Sequence, residues 1–236
     1  MLPFELKKDK DNLFYLNDSE DLGYLLPFYN NKSLFYEIVG NKDFIVKCSN
    51  NNLSKKSQSM YKDMLMKLLV KQELFHEIDF PIGYYQENNK LNGLIIPYYN
   101  SFSLKEISES HDINEITKYY YHDDDSIHNL FSLYLDILNL LEHLFSEKIY
   151  YTDVHPGNFV FSDNEVKLID FEIPYIHFNK WERDSLRMII NNYVSLVYLM
   201  SKKFGFEKCI LSNEGNFSET KLLLKTLENR LRKEYK

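Results

Sequence analysis

One stretch of the chain carries side chains whose types and spacing could do chemistry. In YYTDVHPGNFVFSDNEVKLIDFE, residues 150–172, Asp153 is followed five residues later by Asn158, and Asp170 comes twelve after that. A carboxylate can orient a hydroxyl and receive its proton, while an amide oxygen and a second carboxylate are hard ligands for a divalent cation. Those are the groups that phosphoryl transfer from a nucleotide needs, because that reaction is mostly positioning and charge neutralisation. Pro156-Gly157 bends the loop so that Asn158 can turn back toward the cavity that Asp153 faces. Each of the three, taken singly, reads as an Asx-turn residue or a strand end before it reads as a catalytic group. Together, at this spacing and behind a long amphipathic helix, they read as a site.

Elements that could hold such a site are legible on both sides of it. Residues 24–28 (YLLPF), 34–39 (LFYEIV) and 43–48 (DFIVKC) are short, aromatic and β-branched, and the turn-formers between them predict a three-stranded antiparallel meander. A polar loop follows, and Ser57 or Ser59 is placed to cap a helix running from Met60 to about His76, where Met60, Met64, Leu65, Leu68 and Leu69 recur at helical spacing. FPIGYYQENNKLNGLIIPYY predicts two more strands. A helix is expected over Ser103–Glu109, and the acidic YHDDDS segment caps a long one over roughly Ile127–Ser146. Helices dominate after the opening stretch, at about Trp181–Lys203 and Glu219–Lys233. The fold class expected is α+β, with a boundary near Asn100 between a strand-rich part and a helical part.

TDVHPGNFVF…VKLIDFE resembles the catalytic loop and metal-binding strand of the protein-kinase-like superfamily. DxHPGN followed by IDFE is closest in style to aminoglycoside and choline kinases, ubiquinone-biosynthesis kinases and lipopolysaccharide kinases. The resemblance implies a single protein-kinase-like domain over residues 1–236, with an N-lobe of 1–99 and a C-lobe of 100–236. It implies ATP and Mg²⁺, with Asp153 as catalytic base and with Asn158 and Asp170 as metal ligands. The lysine that such proteins place on their third strand corresponds to Lys47 in DFIVKC, which otherwise reads as an edge-strand lysine in solvent. Its acidic partner on the next helix would be Glu73, beside the apolar stripe, whereas Asp63 falls nearly opposite that stripe. LIIPYYNSFSL resembles the adenine-binding strand and hinge, so Ile96 would flank the base and Pro97, Tyr98 and Tyr99 would meet its edge. Pro97 lacks an N–H, which leaves Tyr98 or Tyr99 as donor. Asp184 reads either as the buried acid that supports the catalytic loop or as a carboxylate favoured by a helix N-terminus.

The sequence departs from the pattern in three places. No GxGxxG covers the phosphates, and Asn30-Asn31-Lys32-Ser33 is the stretch that could stand in for it. Tyr151 occupies the position two before the catalytic aspartate, where the family has His, and Glu172 replaces the glycine after the metal aspartate. No APE motif is present, so switching by phosphorylation is not expected.

Composition narrows the class further. A net charge of −7 over 236 residues argues against broad binding to nucleic acid, which relies on Lys and Arg. Cys48 and Cys209 form no CxxC, which fits a reducing compartment. The start MLPFELKKDK has no apolar run of the signal-peptide kind, and YVSLVYLM at 193–200 is too short to cross a membrane, so a cytoplasmic protein without membrane insertion is expected. The histidines show no metal-ligand spacing with cysteine. The function expected is an ATP- and Mg²⁺-dependent phosphotransferase acting on a hydroxyl of a protein or of a small molecule. Protein Ser or Thr is preferred because the segments that could wall off a small acceptor are short. The alternatives are a sugar or amino-alcohol kinase and a catalytically inactive scaffold.

Overall fold

The computed structural model describes residues 6–11, 13–17, 19–26, 33–49, 55–71, 78, 80–88, 90–99, 103–109, 118, 125–162, 165–170, 176–178, 182–203, 205–206 and 215–234. The chain is mixed α+β and divides into two compact units, Met1–Asn100 and Ser101–Lys236.

The first unit is built on one sheet. Its strands are β1 (Lys7–Lys8), β2 (Phe14–Leu16), β3 (Leu22–Leu25), β4 (Ser33–Ile38), β5 (Asn41–Ser49), β6 (Gly83–Glu87) and β7 (Lys90–Pro97), in the order β1-β2-β6-β7-β5-β4-β3. All neighbours are antiparallel except β2 and β6. Strands β4 and β5 and the β6–β7 hairpin lie where the aromatic and β-branched runs predict them, whereas the first meander strand, expected over 24–28, is found at Leu22–Leu25, and residues 27 and 28 lie outside the described residues. Pairing of Tyr36 with Val46, and of Val46 with Ile95, puts one row of side chains on a single face. Leu16, Ile38, Val46, Cys48, Ile82, Tyr85 and Ile95 form the core there. The adjacent row, Phe35–Lys47–Leu94–Tyr84, belongs to the opposite face.

Strands β1 and β2 were not foreseen, because two lysines and a three-residue run are too short to show alternation. Their place depends on Gly83. A Cβ there would stand 2.1 Å from the Phe14 carbonyl oxygen, so only glycine lets β2 lie beside β6. Asp9 fixes the turn that leads into β2: its carboxylate accepts from the Asp11 and Leu13 amides at 2.9 and 3.1 Å, and from the Tyr84 hydroxyl at 2.8 Å.

Helix α1 spans Lys55–Lys71, so it starts five residues before Met60, and Ser57 and Ser59 lie inside it and do not cap it. Lys and Gln extend a helix readily and nothing before Met60 breaks it, which accounts for the earlier start. Met64, Leu65 and Leu68 are buried, but Met60 is 46% exposed. Steps of four residues drift around a helix by about 40° each, which carries Met60 off the stripe. Gln58 accepts from the Leu91 amide at 3.3 Å, and the Lys62 ammonium stands 4.2 Å from the Tyr84 ring centroid, so α1 lies on the Tyr84 face of the sheet.

The second unit is mainly helical. Helix α2 (Leu104–Glu109) opens with a capping box: the Glu106 carboxylate accepts from the Ser103 amide at 2.8 Å, and the Glu106 amide donates back to the Ser103 hydroxyl at 3.3 Å. Helix α3 (Ser126–Ser146) is capped by Asp125, which accepts from the Ile127 and His128 amides, and it buries Leu130, Leu133, Ile137, Leu138, Leu141 and Leu144. Helices α4 (Glu182–Lys203) and α5 (Phe217–Glu234) pack against it. The Tyr193 hydroxyl of α4 donates to the Tyr134 carbonyl of α3 at 2.7 Å, and Arg232 of α5 pairs with Asp125 at 2.8 Å. Among the described residues, four short strands complete the unit. β8 (Ile149–Tyr151) pairs with β11 (Ile176–Phe178), and β9 (Phe159–Ser162) pairs with β10 (Glu165–Leu168).

Candidate functional site

The register of the β9–β10 hairpin explains how residues twelve apart in sequence come together. Phe159 faces Leu168 at the base of the hairpin, so the next rung outward sets Asn158 against Ile169. That rung forms: the Ile169 amide donates to the Asn158 carbonyl at 2.8 Å. Asp170 follows directly, with a backbone φ of 66°, in the left-handed region that asparagine and aspartate tolerate better than most residues.

The other end of the site hangs from β8 and a 3₁₀ turn. Tyr151 is buried in β8, and the chain then passes through Thr152 and Asp153 to a turn over Pro156–Asn158. His155 caps this turn, its Nδ1 accepting from the Gly157 amide at 3.1 Å while its carbonyl accepts from the Asn158 amide at 3.0 Å. Pro at the first turn position costs no hydrogen bond and presets the backbone. The turn carries Asn158, only 2% exposed, back toward Asp153.

Asn158 and Tyr151 tie the site together. The Asn158 amide nitrogen donates to the Tyr151 hydroxyl at 2.6 Å, to the Asp153 carbonyl at 2.9 Å and to Asp153 Oδ2 at 3.2 Å. The Tyr151 hydroxyl in turn donates to the Asp170 carbonyl at 3.2 Å. Tyr151 thus bridges Asn158 and Asp170, and Asn158 bridges Tyr151 and Asp153. Asp153 and Asn158 are joined side chain to side chain, and Asp170 is joined to them through its backbone carbonyl. Asp153 also has His155 Nε2 at 3.7 Å from its Oδ2.

Two members of the group were missed. Tyr151 reads in the sequence only as a departure from the histidine of the protein-kinase-like pattern, yet its phenol links the Asn158 amide to the Asp170 backbone carbonyl. Asn192 of α4 donates to the Thr152 carbonyl at 2.6 Å and so holds the loop from behind. Its signal was a polar residue between Ile189 and Leu196, both buried, on the apolar side of the helix. Of the two readings of Asp184, loop support and helix-dipole carboxylate, its exposed place in the first turn of α4 fits the second.

In the first unit, Lys47 is 7% exposed on β5, flanked by β4 and β7, with its ammonium 5.8 Å from the Phe35 ring centroid. The solvent-exposed edge-strand reading of this lysine therefore fails. Ile96 and Pro97 end β7, with Pro97 opposite Phe44, and Tyr98 and Tyr99 follow, all four partly buried. The Tyr98 amide donates to the Asp43 carbonyl at 2.8 Å and so prolongs the ladder. Asp63 is exposed, opposite the buried stripe of α1 as its helical phase predicts. Glu73, Asn30, Asn31, Lys32 and Cys209 lie outside the described residues.

Among the described residues, no group of three or more His, Cys, Asp and Glu side chains is arranged to hold a metal ion. The donors in question here are different, one amide oxygen and one carboxylate. Asn158 spends its amide hydrogens on Tyr151 and Asp153, which leaves Oδ1 as the acceptor of that side chain. An amide oxygen with a carboxylate suits Mg²⁺, which keeps several of its own waters and takes few protein ligands. Among the described residues no helix is long and apolar enough to cross a membrane. No protein-family model matches the chain, and no curated protein matches it.

Proposed function

We propose that this protein is a phosphotransferase of two-lobed protein-kinase-like fold, moving the γ-phosphate of ATP to a hydroxyl acceptor with Mg²⁺ as cofactor. The observation that carries this reading is the hydrogen-bonded group of Asp153, Asn158 and Asp170, joined through Tyr151. Asp153 is the base. It orients the acceptor hydroxyl and takes its proton as the new bond to phosphorus forms. Asn158 and Asp170 would hold Mg²⁺, which when bound neutralises charge on the phosphates. Lys47 is a buried cation suited to the α- and β-phosphates, and Glu73 is its proposed partner. Ile96, Pro97, Tyr98 and Tyr99 supply the segment for adenine, with Ile96 as an apolar wall.

A protein Ser or Thr is the preferred acceptor, because little chain lies between α2 and the long helix α3 to enclose a sugar or amino alcohol. A second reading, a binding module without turnover, is favoured by one feature, the lack of a GxGxxG. Labelled ATP, offered with generic protein acceptors and with a panel of sugars and amino alcohols, separates the readings. Asp153→Asn should keep nucleotide affinity near wild type and cut kcat by about a hundredfold or more, the scale of general-base catalysis. Asp170→Asn should abolish metal-dependent transfer. Label found only in small molecules would sink the protein acceptor but not the phosphotransferase. Wild type inert toward every acceptor would favour the binding module.

A further inference from the structure

The imidazole of His155 has no part in the chemistry above, yet its ring is set by the same turn that carries Asn158. Its Nδ1 accepts from the Gly157 amide at 3.1 Å, so the proton of the neutral ring sits on Nε2. Nε2 stands 3.7 Å from Asp153 Oδ2. That is longer than a formed hydrogen bond, but catalytic contacts commonly tighten only when substrates are bound. Oδ2 also accepts from the Asn158 amide at 3.2 Å. Both contacts fall on Oδ2, and among the described residues none falls on Oδ1. A carboxylate turns about a single soft torsion, and two donors converging on one oxygen stop that rotation.

We propose that His155 is a positioning residue: with its tautomer set by the Gly157 amide, its Nε2–H holds Asp153 Oδ2, so that Oδ1 is the oxygen that receives the acceptor's proton. The assignment rests on the phosphotransferase reading. In the step it serves, the acceptor O–H breaks toward Oδ1 and the acceptor oxygen bonds phosphorus. The oxygen of the departing nucleoside diphosphate keeps the electron pair of the broken P–O bond.

Two variants separate positioning from capping. In His155→Asn the shorter side chain still offers an oxygen to the Gly157 amide, as Asn does at helix caps, but its amide does not extend to Asp153. His155→Ala loses both contacts. His155→Asn should therefore lower kcat about tenfold at an ATP KM within about twofold of wild type and an unchanged melting temperature, a modest share of a general-base effect. His155→Ala should lose kcat and melting temperature together. Wild-type kcat in His155→Asn, with wild type active, overturns the positioning role alone. Wild type inert with every acceptor overturns the phosphotransferase reading, and the positioning role falls with it. Long-range ¹⁵N correlation of the wild-type imidazole provides a check independent of turnover. A proton on Nε2 is expected, and a proton on Nδ1 overturns the assignment.

Discussion

At the scale of single residues, the Tyr151 hydroxyl is the atom that joins the Asn158 side chain to the Asp170 backbone. Tyr151→Phe leaves the Asn158 amide with one partner fewer and the Asp170 carbonyl without that donor, in a buried setting. A lost buried hydrogen bond costs about 1–2 kcal/mol, so urea unfolding should show a loss of that size. On the phosphotransferase reading, the Mg²⁺ concentration for half-maximal rate should rise as well. A stability loss with unchanged Mg²⁺ dependence would make Tyr151 purely structural. Asp170 makes a second, separable prediction. Its φ of 66° suits Asn but strains Ala, so Asp170→Ala should lose about 1 kcal/mol of stability that Asp170→Asn keeps. Melting curves of the two variants, compared side by side, test it.

At the scale of elements, two junctions carry the most weight. Gly83→Ala would drive a methyl into the Phe14 backbone, and overpacking of this kind costs about 1–3 kcal/mol. Strand β2 should part from β6 before the rest of the sheet opens. Cys48 reports on this, because burial pushes its thiol up to about 12 and keeps it protonated and slow to alkylate in the native protein. Faster alkylation in Gly83→Ala than in wild type is expected, and equal rates would mean that β1–β2 does not guard this core. The second junction is the start of α3. The His128 amide, and then the Arg232 guanidinium, hold the Asp125 carboxyl below its ordinary value. A depressed folded-state value means that this contribution is fully present above the unfolded value of roughly 4, and is lost as pH falls through the folded value. Asp125→Ala should cost about 1 kcal/mol at pH 7, the usual worth of a helix N-cap. Its difference from wild type should shrink as pH falls below about 4, the ordinary carboxylate value. A difference unchanged down to pH 2 would refute the charge-based account.

At the scale of the whole molecule, Lys47 provides the broadest test, since on the phosphotransferase reading its buried ammonium meets the α- and β-phosphates of the nucleotide. Mg²⁺-ATP at about a hundred times its Kd should stabilise wild type by about 2.7 kcal/mol, and for a chain of this size that raises the melting temperature by roughly 5–10 °C. Lys47→Met should lose most of this shift, each protein being read against its own melting temperature without nucleotide. Equal shifts in the two proteins would move the phosphate contact to another lysine, with Lys32 first in line.

By itself the sequence determined whatever depends on local pattern. The mixed α+β class follows from runs of period two early in the chain and period 3.6 later. The long helix α3, the β9–β10 hairpin and the meeting of Asn158 with Asp170 are also local, since an antiparallel hairpin joins its own ends whatever surrounds it. Only the tertiary structure decided the rest. Tyr151 and Asn192 act through partners brought near by β8 and α4, and no spacing rule connects them. Lys47 is buried because β5 lies between β4 and β7, a neighbourhood that one strand's sequence cannot declare. The pairing of β2 with β6 depends on a glycine whose absent side chain leaves no periodic trace. Burial and cross-strand contact are sums over distant segments, and a linear pattern reports only the segment's own share.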